Sequence, residues 1–150
     1  PFRHKPTHAL SGGQKKQVSI VDILVMHPDI MIFDEPAAAL DPRHTRIVNR
    51  IIDRLTEQGI TVMMSTHDVN FALEWADQVF LFKEGKVLAE GTPVQVFSNR
   101  EVLRETNLEQ PAVMELFDSL CRKHILSDAL PVPRTLAQLE GYISEIHDFS

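Results

Sequence analysis

Four short stretches of this 150-residue sequence carry residues fit for phosphate chemistry. Asp34 and Glu35 follow the apolar run 30–33. An acidic pair at the C-terminal end of a buried parallel strand stands where open α/β sheets bind ligands. One carboxylate can hold Mg²⁺, commonly through water, and the next can orient or deprotonate an attacking water. The plainer role for such a pair is to end a strand and solvate a loop. Leu10-Ser11-Gly12-Gly13-Gln14 stands where a helix begins. Two glycines allow close approach of a phosphate to the backbone, and a helix start offers free N–H groups with partial positive charge. Alone, the same residues read as a cap after a loop. Asp41-Pro42 follows the acidic pair and makes a good helix start. Ser65-Thr66-His67-Asp68 ends a second apolar stretch. A lone histidine at a strand end is more often structural, but beside an acid pair it can sense a γ-phosphate.

These residues must be positioned by an alternating array of elements. Ser11 and Gln14 have capping-box spacing. Residues 18–26 are apolar almost all round, which predicts a buried helix. The wholly apolar run 30–33 predicts a strand of a parallel sheet covered on both faces. Pro42 opens a helix whose Ile47, Val48, Ile51, Ile52 and Leu55 share one face, and Gly59 ends it. Residues 60–66 give the next strand, and Asp68 caps a further helix. This order predicts a parallel α/β sheet with flanking helices. Glu84-Gly85 between residues 79–82 and 86–89 reads as a tight hairpin. Thr92-Pro93-Val94-Gln95 is a second capping box. Short helices should follow. The clearest run over 111–123, with Val113, Leu116, Phe117 and Leu120 inward, and over 135–147, with Leu136, Leu139, Ile143 and Ile146 inward. Pro131 and Pro133 mark an extended linker between them.

Composition narrows the function. The net charge of -6 opposes a nucleic-acid-binding surface, which needs clustered Lys and Arg. The single cysteine, Cys121, allows no disulfide within the chain, which suits a reducing compartment, and it reads as a small core residue. No apolar run reaches the roughly 18 residues of a membrane-spanning helix, and no signal peptide is recognisable. His4 and His8 are four apart, but Pro6 between them opposes a helix that would aim both at one metal.

Taken in order and spacing, the four stretches are specific. LSGGQ, a hydrophobic strand ending in DEP, then LDP, then THD resembles the nucleotide-binding domain of ABC transporters, in its C-terminal part. The hairpin at Glu84-Gly85-Lys86 and Glu90-Gly91-Thr92-Pro93 are also family-like. The stretches from Gly91 to Phe97, from Asn107 to Pro111 and from Leu130 to Thr135 look like the ATP-binding subunit of energy-coupling-factor and cobalt/nickel importers. The resemblance implies a partial P-loop NTPase fold over 1–91, with a β-hairpin, and a small helical C-terminal extension over 92–150. It implies ATP and Mg²⁺ as cofactors. Ser11, Gly12, Gly13 and Gln14 would bind the ATP of the other subunit in a dimer. Asp34 would help bind Mg²⁺, Glu35 would act on the attacking water, Asp41 would communicate across the dimer, and His67 would sense the γ-phosphate. Partners would be a second ATPase subunit and a transmembrane subunit, at the cytoplasmic face of the membrane, with no nucleic acid.

The sequence also departs from the family pattern. Gly-x-x-x-x-Gly-Lys-Ser/Thr is absent from these 150 residues, which predicts a fragment whose ATPase activity needs a complete subunit. Gln17 stands where the family usually has Arg, Ala37 where it has Thr, and Ala39 where it has Gly, a residue free to adopt angles that Ala does not. Asp22 sits in the apolar helix, where an unpaired buried charge would cost several kcal/mol. A truncated or split subunit acting as a dimerisation module is the competing reading. A non-transport ABC head domain would need flanking coiled coils, and no sustained heptads follow Pro93.

Overall fold

A computed structural model describes residues 11–36, 38 and 40–147. The predicted loop over 1–10 and the departures at Ala37 and Ala39 lie outside the described residues. The chain divides between Thr66 and His67 into two compact units.

In the first unit, helix α1 (Gly12–Leu24) opens on the expected reciprocal cap. The Gln14 N–H donates to Ser11 Oγ at 3.3 Å, and the Ser11 N–H donates to Gln14 Oε1 at 3.1 Å. The helix is not buried all round. Ile20 is buried, but Ile23 is 48% exposed, and Val25 and Met26 lie in a turn beyond the helix end, largely in solvent. Asp22 is also exposed, so the feared penalty for a buried charge does not arise. Strand β1 (Ile30–Asp34) leads through helix α2 (Pro42–Glu57) to strand β2 (Thr61–Ser65). The strands pair in parallel, with Ile30 opposite Thr61 and Asp34 opposite Ser65. Asp41 caps α2, Pro42 sits in its first turn, and Gly59, at φ +82°, follows its end in the left-handed region that favours glycine.

β1 is not covered on both faces. Met31 and Phe33 are buried, whereas Ile32 is 76% exposed. Ile30, and Met63 across from Ile32, are exposed on that same side. Side chains alternate along a strand, so one helix layer can cover only every second residue. α2 supplies that layer: it packs on β2 and buries Val48, Ile52 and Leu55. Among the described residues of this unit, no element covers the other face.

The second unit begins with helix α3 (Val69–Trp75), capped by Asp68, whose carboxylate accepts the Phe71 N–H. Strands β3 (Val79–Lys83) and β4 (Lys86–Gly91) form the expected antiparallel hairpin. Glu84 and Gly85 both have positive φ, 51° and 75°, as a tight turn matched to the twist of the strands requires. Thr92 and Gln95 form the second capping box, at the start of α4 (Pro93–Ser98). Helices α5 (Arg100–Glu105), α6 (Ala112–Arg122) and α7 (Leu136–His147) complete the unit. Leu73, Leu81, Phe97, Met114, Phe117 and Leu139 join in one core, so the hairpin, through Leu81, and the C-terminal helices share buried surface. α6 and α7 pack on each other, and the Phe117 and Tyr142 rings lie 6.3 Å apart.

Two leucines expected inside are exposed, Leu116 and Leu136. On α6 the inner face is Val113, Met114 and Phe117, so Met114 takes the place foreseen for Leu116. Leu136 is the first residue of α7, one turn short of the buried Leu139. The side chain of Ile146 lies outside the described residues. Cys121 is half-buried; burial first, then the charges of Asp128 and Asp118, push its thiol pKa up, which suits a packing residue and not a nucleophile. No described helix is long and apolar enough to cross a membrane.

Candidate functional site

The parallel register of β1 and β2 brings Asp34 and Ser65 side by side at the C-terminal ends of the strands. Ser65 Oγ donates to Asp34 Oδ1 in a short hydrogen bond. The Glu35 N–H donates to the Ser65 carbonyl at 3.1 Å and to Ser65 Oγ at 3.3 Å. One serine thus holds the first acid by its carboxylate and the second by its backbone. Glu35 itself has φ +43°, a left-handed conformation that turns the chain off the strand. The turn closes when the Ala38 N–H donates to the Glu35 carbonyl at 3.1 Å. Left-handed backbone at a non-glycine residue is uncommon and concentrates at functional sites. Asp34 is exposed and Glu35 half-buried.

Ser65 is the residue that sequence reading missed. It falls within Ser65-Thr66-His67-Asp68, yet nothing local gives it a role, because its partner is 31 positions away. A parallel pairing that sets Asp34 beside Ser65 is the signal that finds it.

The chemistry of this donor set suits a hard divalent cation only in part. Ser65 engages Asp34 Oδ1 and leaves Oδ2 as the remaining acceptor. Mg²⁺ is commonly held by one or two carboxylates together with waters and substrate phosphates. Among the described residues no group of three or more His, Cys, Asp or Glu could enclose a metal. A single carboxylate such as Asp34 suits a cation shared with a phosphate ligand.

The other predicted residues sit on separate elements. Ser11 and Gly12 stand at the exposed start of α1, where Gln14 turns back onto Ser11. Asp41 stands at the start of α2. Its Oδ1 accepts the Arg43 and His44 N–H groups at 2.9 and 3.0 Å, and its Oδ2 lies 2.6 Å from His44 Nδ1. The backbone hydrogen bond from His44, then that residue's side chain, lower the Asp41 pKa below the usual carboxylate value. So the expected cap is present. His67 belongs to the second unit, where it immediately precedes Asp68, the cap of α3.

Comparison with known proteins fits this arrangement. The ABC transporter family profile matches residues 1–38. The chain is 38% identical over 146 residues to the energy-coupling factor transporter ATP-binding protein EcfA2 of Methanospirillum hungatei, covering 97% of this chain and 36% of that protein. It is 44% identical over 144 residues to EcfA of Methanococcus maripaludis, covering 96% and 51%. The chain thus spans between about a third and a half of the length of these curated relatives. Among solved structures, cbiO1 of Clostridium perfringens, part of the ABC transporter complex cbiONQ, superposes with a TM-score of 0.57 at 43% identity, over 76% of this chain and 46% of that one. Motif order, sequence similarity and backbone agree that, over the residues it contains, this chain belongs to the ATP-binding proteins of ABC transporters.

Proposed function

We propose that these residues are the C-terminal part of an ATP-hydrolysing, energy-coupling subunit of an ABC-type importer, for cobalt, nickel or a vitamin. On this reading residues 1–91 complete the ATPase domain and 92–150 form a helical extension. The subunit dimerises, docks on a transmembrane partner and lies at the cytoplasmic face of the membrane. The observation that carries the reading is the acid pair at the end of a parallel strand, held by Ser65. Asp34 would share Mg²⁺ with the ATP phosphates, and Glu35 would orient and deprotonate water. A bound Mg²⁺ would neutralise charge on the phosphates. Ser11, Gly12, Gly13 and Gln14 would meet the γ-phosphate of ATP held by the other subunit. Asp41 would sit at the dimer contact, and His67 would sense loss of the γ-phosphate. Similarity to proteins named as energy-coupling factor ATP-binding proteins supports the transport assignment.

The test uses a P-loop-containing subunit that carries this sequence. Glu35→Gln keeps shape and removes charge, so ATP binding should persist while single-turnover hydrolysis falls by about 10²- to 10⁴-fold. The closed dimer should then accumulate. Asp34→Asn should instead weaken the Mg²⁺ dependence of binding. Hydrolysis by Glu35→Gln at the parental rate would reduce Glu35 to a strand-end carboxylate.

A further inference from the structure

Helix α3 is seven residues long, too short to be stable by itself in water. Both of its ends are gripped by the C-terminal extension. Near its start, Asn70 Oδ1 accepts the N–H of Ala112, the first residue of α6, at 2.8 Å. At its end, Arg134 donates from Nε to the Leu73 carbonyl at 2.8 Å. Its terminal nitrogen donates to the Glu74 and Ala76 carbonyls at 3.3 and 2.5 Å. Leu73 and Glu74 lie in the last turn of α3 and Ala76 is its C-cap, where no intrahelical donor reaches the carbonyls. A planar guanidinium can serve several at once, which an ammonium cannot. Arg134 is itself fixed. Its N–H donates to Gln138 Oε1, in the first turn of α7, at 2.7 Å, and Pro133 before it is fully buried. Between the two grips Leu73 is fully buried in the core that contains Phe117 of α6 and Leu139 of α7.

His67 stands between the end of β2 at Ser65 and the Asp68 cap, two residues ahead of the first residue of α3. We infer that Asn70 and Arg134 are positioning residues for His67. Through them, the placement of α6 and of the turn into α7 sets the orientation of the histidine. The importance of that orientation for ATP hydrolysis rests on the function proposed above; the mechanical link from the extension to His67 does not. An event that shifts the extension, such as engagement of a second subunit on its helices, is then read at His67 without any contact of its own to the nucleotide.

The link is tested on the 150-residue chain by the ring ¹H–¹³C resonances of His67. Arg134→Lys keeps the charge and the aliphatic stem but loses the fork, and Asn70→Ala removes the acceptor at the other end. Each should shift or broaden the His67 ring signals, while the ring of His124 and the amide of Gly85, in the same unit, stay in place. In a P-loop-containing subunit both variants should lower kcat by about fivefold or more, the low end of couplings between sites, with KM for ATP unchanged. Unmoved His67 signals in both variants overturn the inference. So does a displacement of Gly85 and His124 together with His67, because the effect is then general loosening and not positioning. Parental hydrolysis by Glu35→Gln would sink the ATPase reading alone, and the His67 resonances would still decide the link.

Discussion

Replacing Ser65 by alanine isolates what the strand-end serine contributes. The Glu35 N–H keeps the Ser65 carbonyl at 3.1 Å, so the turn should survive. What disappears is the hydrogen bond from Ser65 Oγ to the Asp34 carboxylate, and with it the longer 3.3 Å bond that Ser65 Oγ accepts from the Glu35 N–H, whose donor keeps the carbonyl. A hydrogen bond to a carboxylate is worth about 1.5–3 kcal/mol when water cannot replace it. Ser65 and Asp34 are both exposed, so water substitutes and about 0.5–1 kcal/mol remains. At 1.36 kcal/mol per decade this is about two- to fivefold in an equilibrium constant. On the proposed function, the concentration of Mg²⁺ that half-saturates ATP hydrolysis in a P-loop-containing subunit should therefore rise about two- to fivefold. Ser65→Thr retains the hydroxyl on a residue that strands favour, and should restore the parental value. The assay is an Mg²⁺ titration of hydrolysis at saturating ATP, with Asp34→Asn as the positive control. An unchanged midpoint in Ser65→Ala, beside a raised midpoint in Asp34→Asn, would refute the idea that the serine orients the carboxylate. Equal damage from Thr and Ala would refute it too.

Two further outcomes follow from burial and charge. Leu73→Ala removes a fully buried side chain from the core of the second unit and should cost about 2.7–5 kcal/mol in urea unfolding. The exposed Leu136→Ala should cost far less, and near-equal losses would mean that this core is not packed as described. Asp41 has its folded pKa lowered by His44, so its contribution to α2 is present above the unfolded value of about 3.9 and fades as pH falls through the folded one. The difference in melting temperature between the parent and Asp41→Asn should accordingly favour the parent near neutrality and shrink below about pH 4. A difference constant from pH 7 to 2.5 would contradict this sign.

Features closed by residues within a few positions of each other were legible in the sequence. Ser11 with Gln14, Thr92 with Gln95, Asp41 before Pro42, and the turn at Glu84-Gly85 each satisfy their own backbone groups. No distant partner is needed to recognise them. Burial was less legible, because it depends on what covers a face. The apolar runs 18–26 and 30–33 record a demand for cover, whereas Ile23 and Ile32 in this chain remain exposed. The roles expected of the acids and of His67 rest on their order along the chain, which is a one-dimensional signal. Those of Ser65 and Arg134 do not, because their partners lie 31 and 61 positions away and only strand register and helix packing bring them together.

The left-handed backbone at Glu35 has an evolutionary corollary. Glycine adopts that conformation without steric penalty, and asparagine tolerates it, while glutamate sits there at a cost on the order of 1 kcal/mol. On the proposed function, a copy that no longer needs the Glu35 carboxylate would gain a little stability by losing it, through a single codon step from glutamate to glycine.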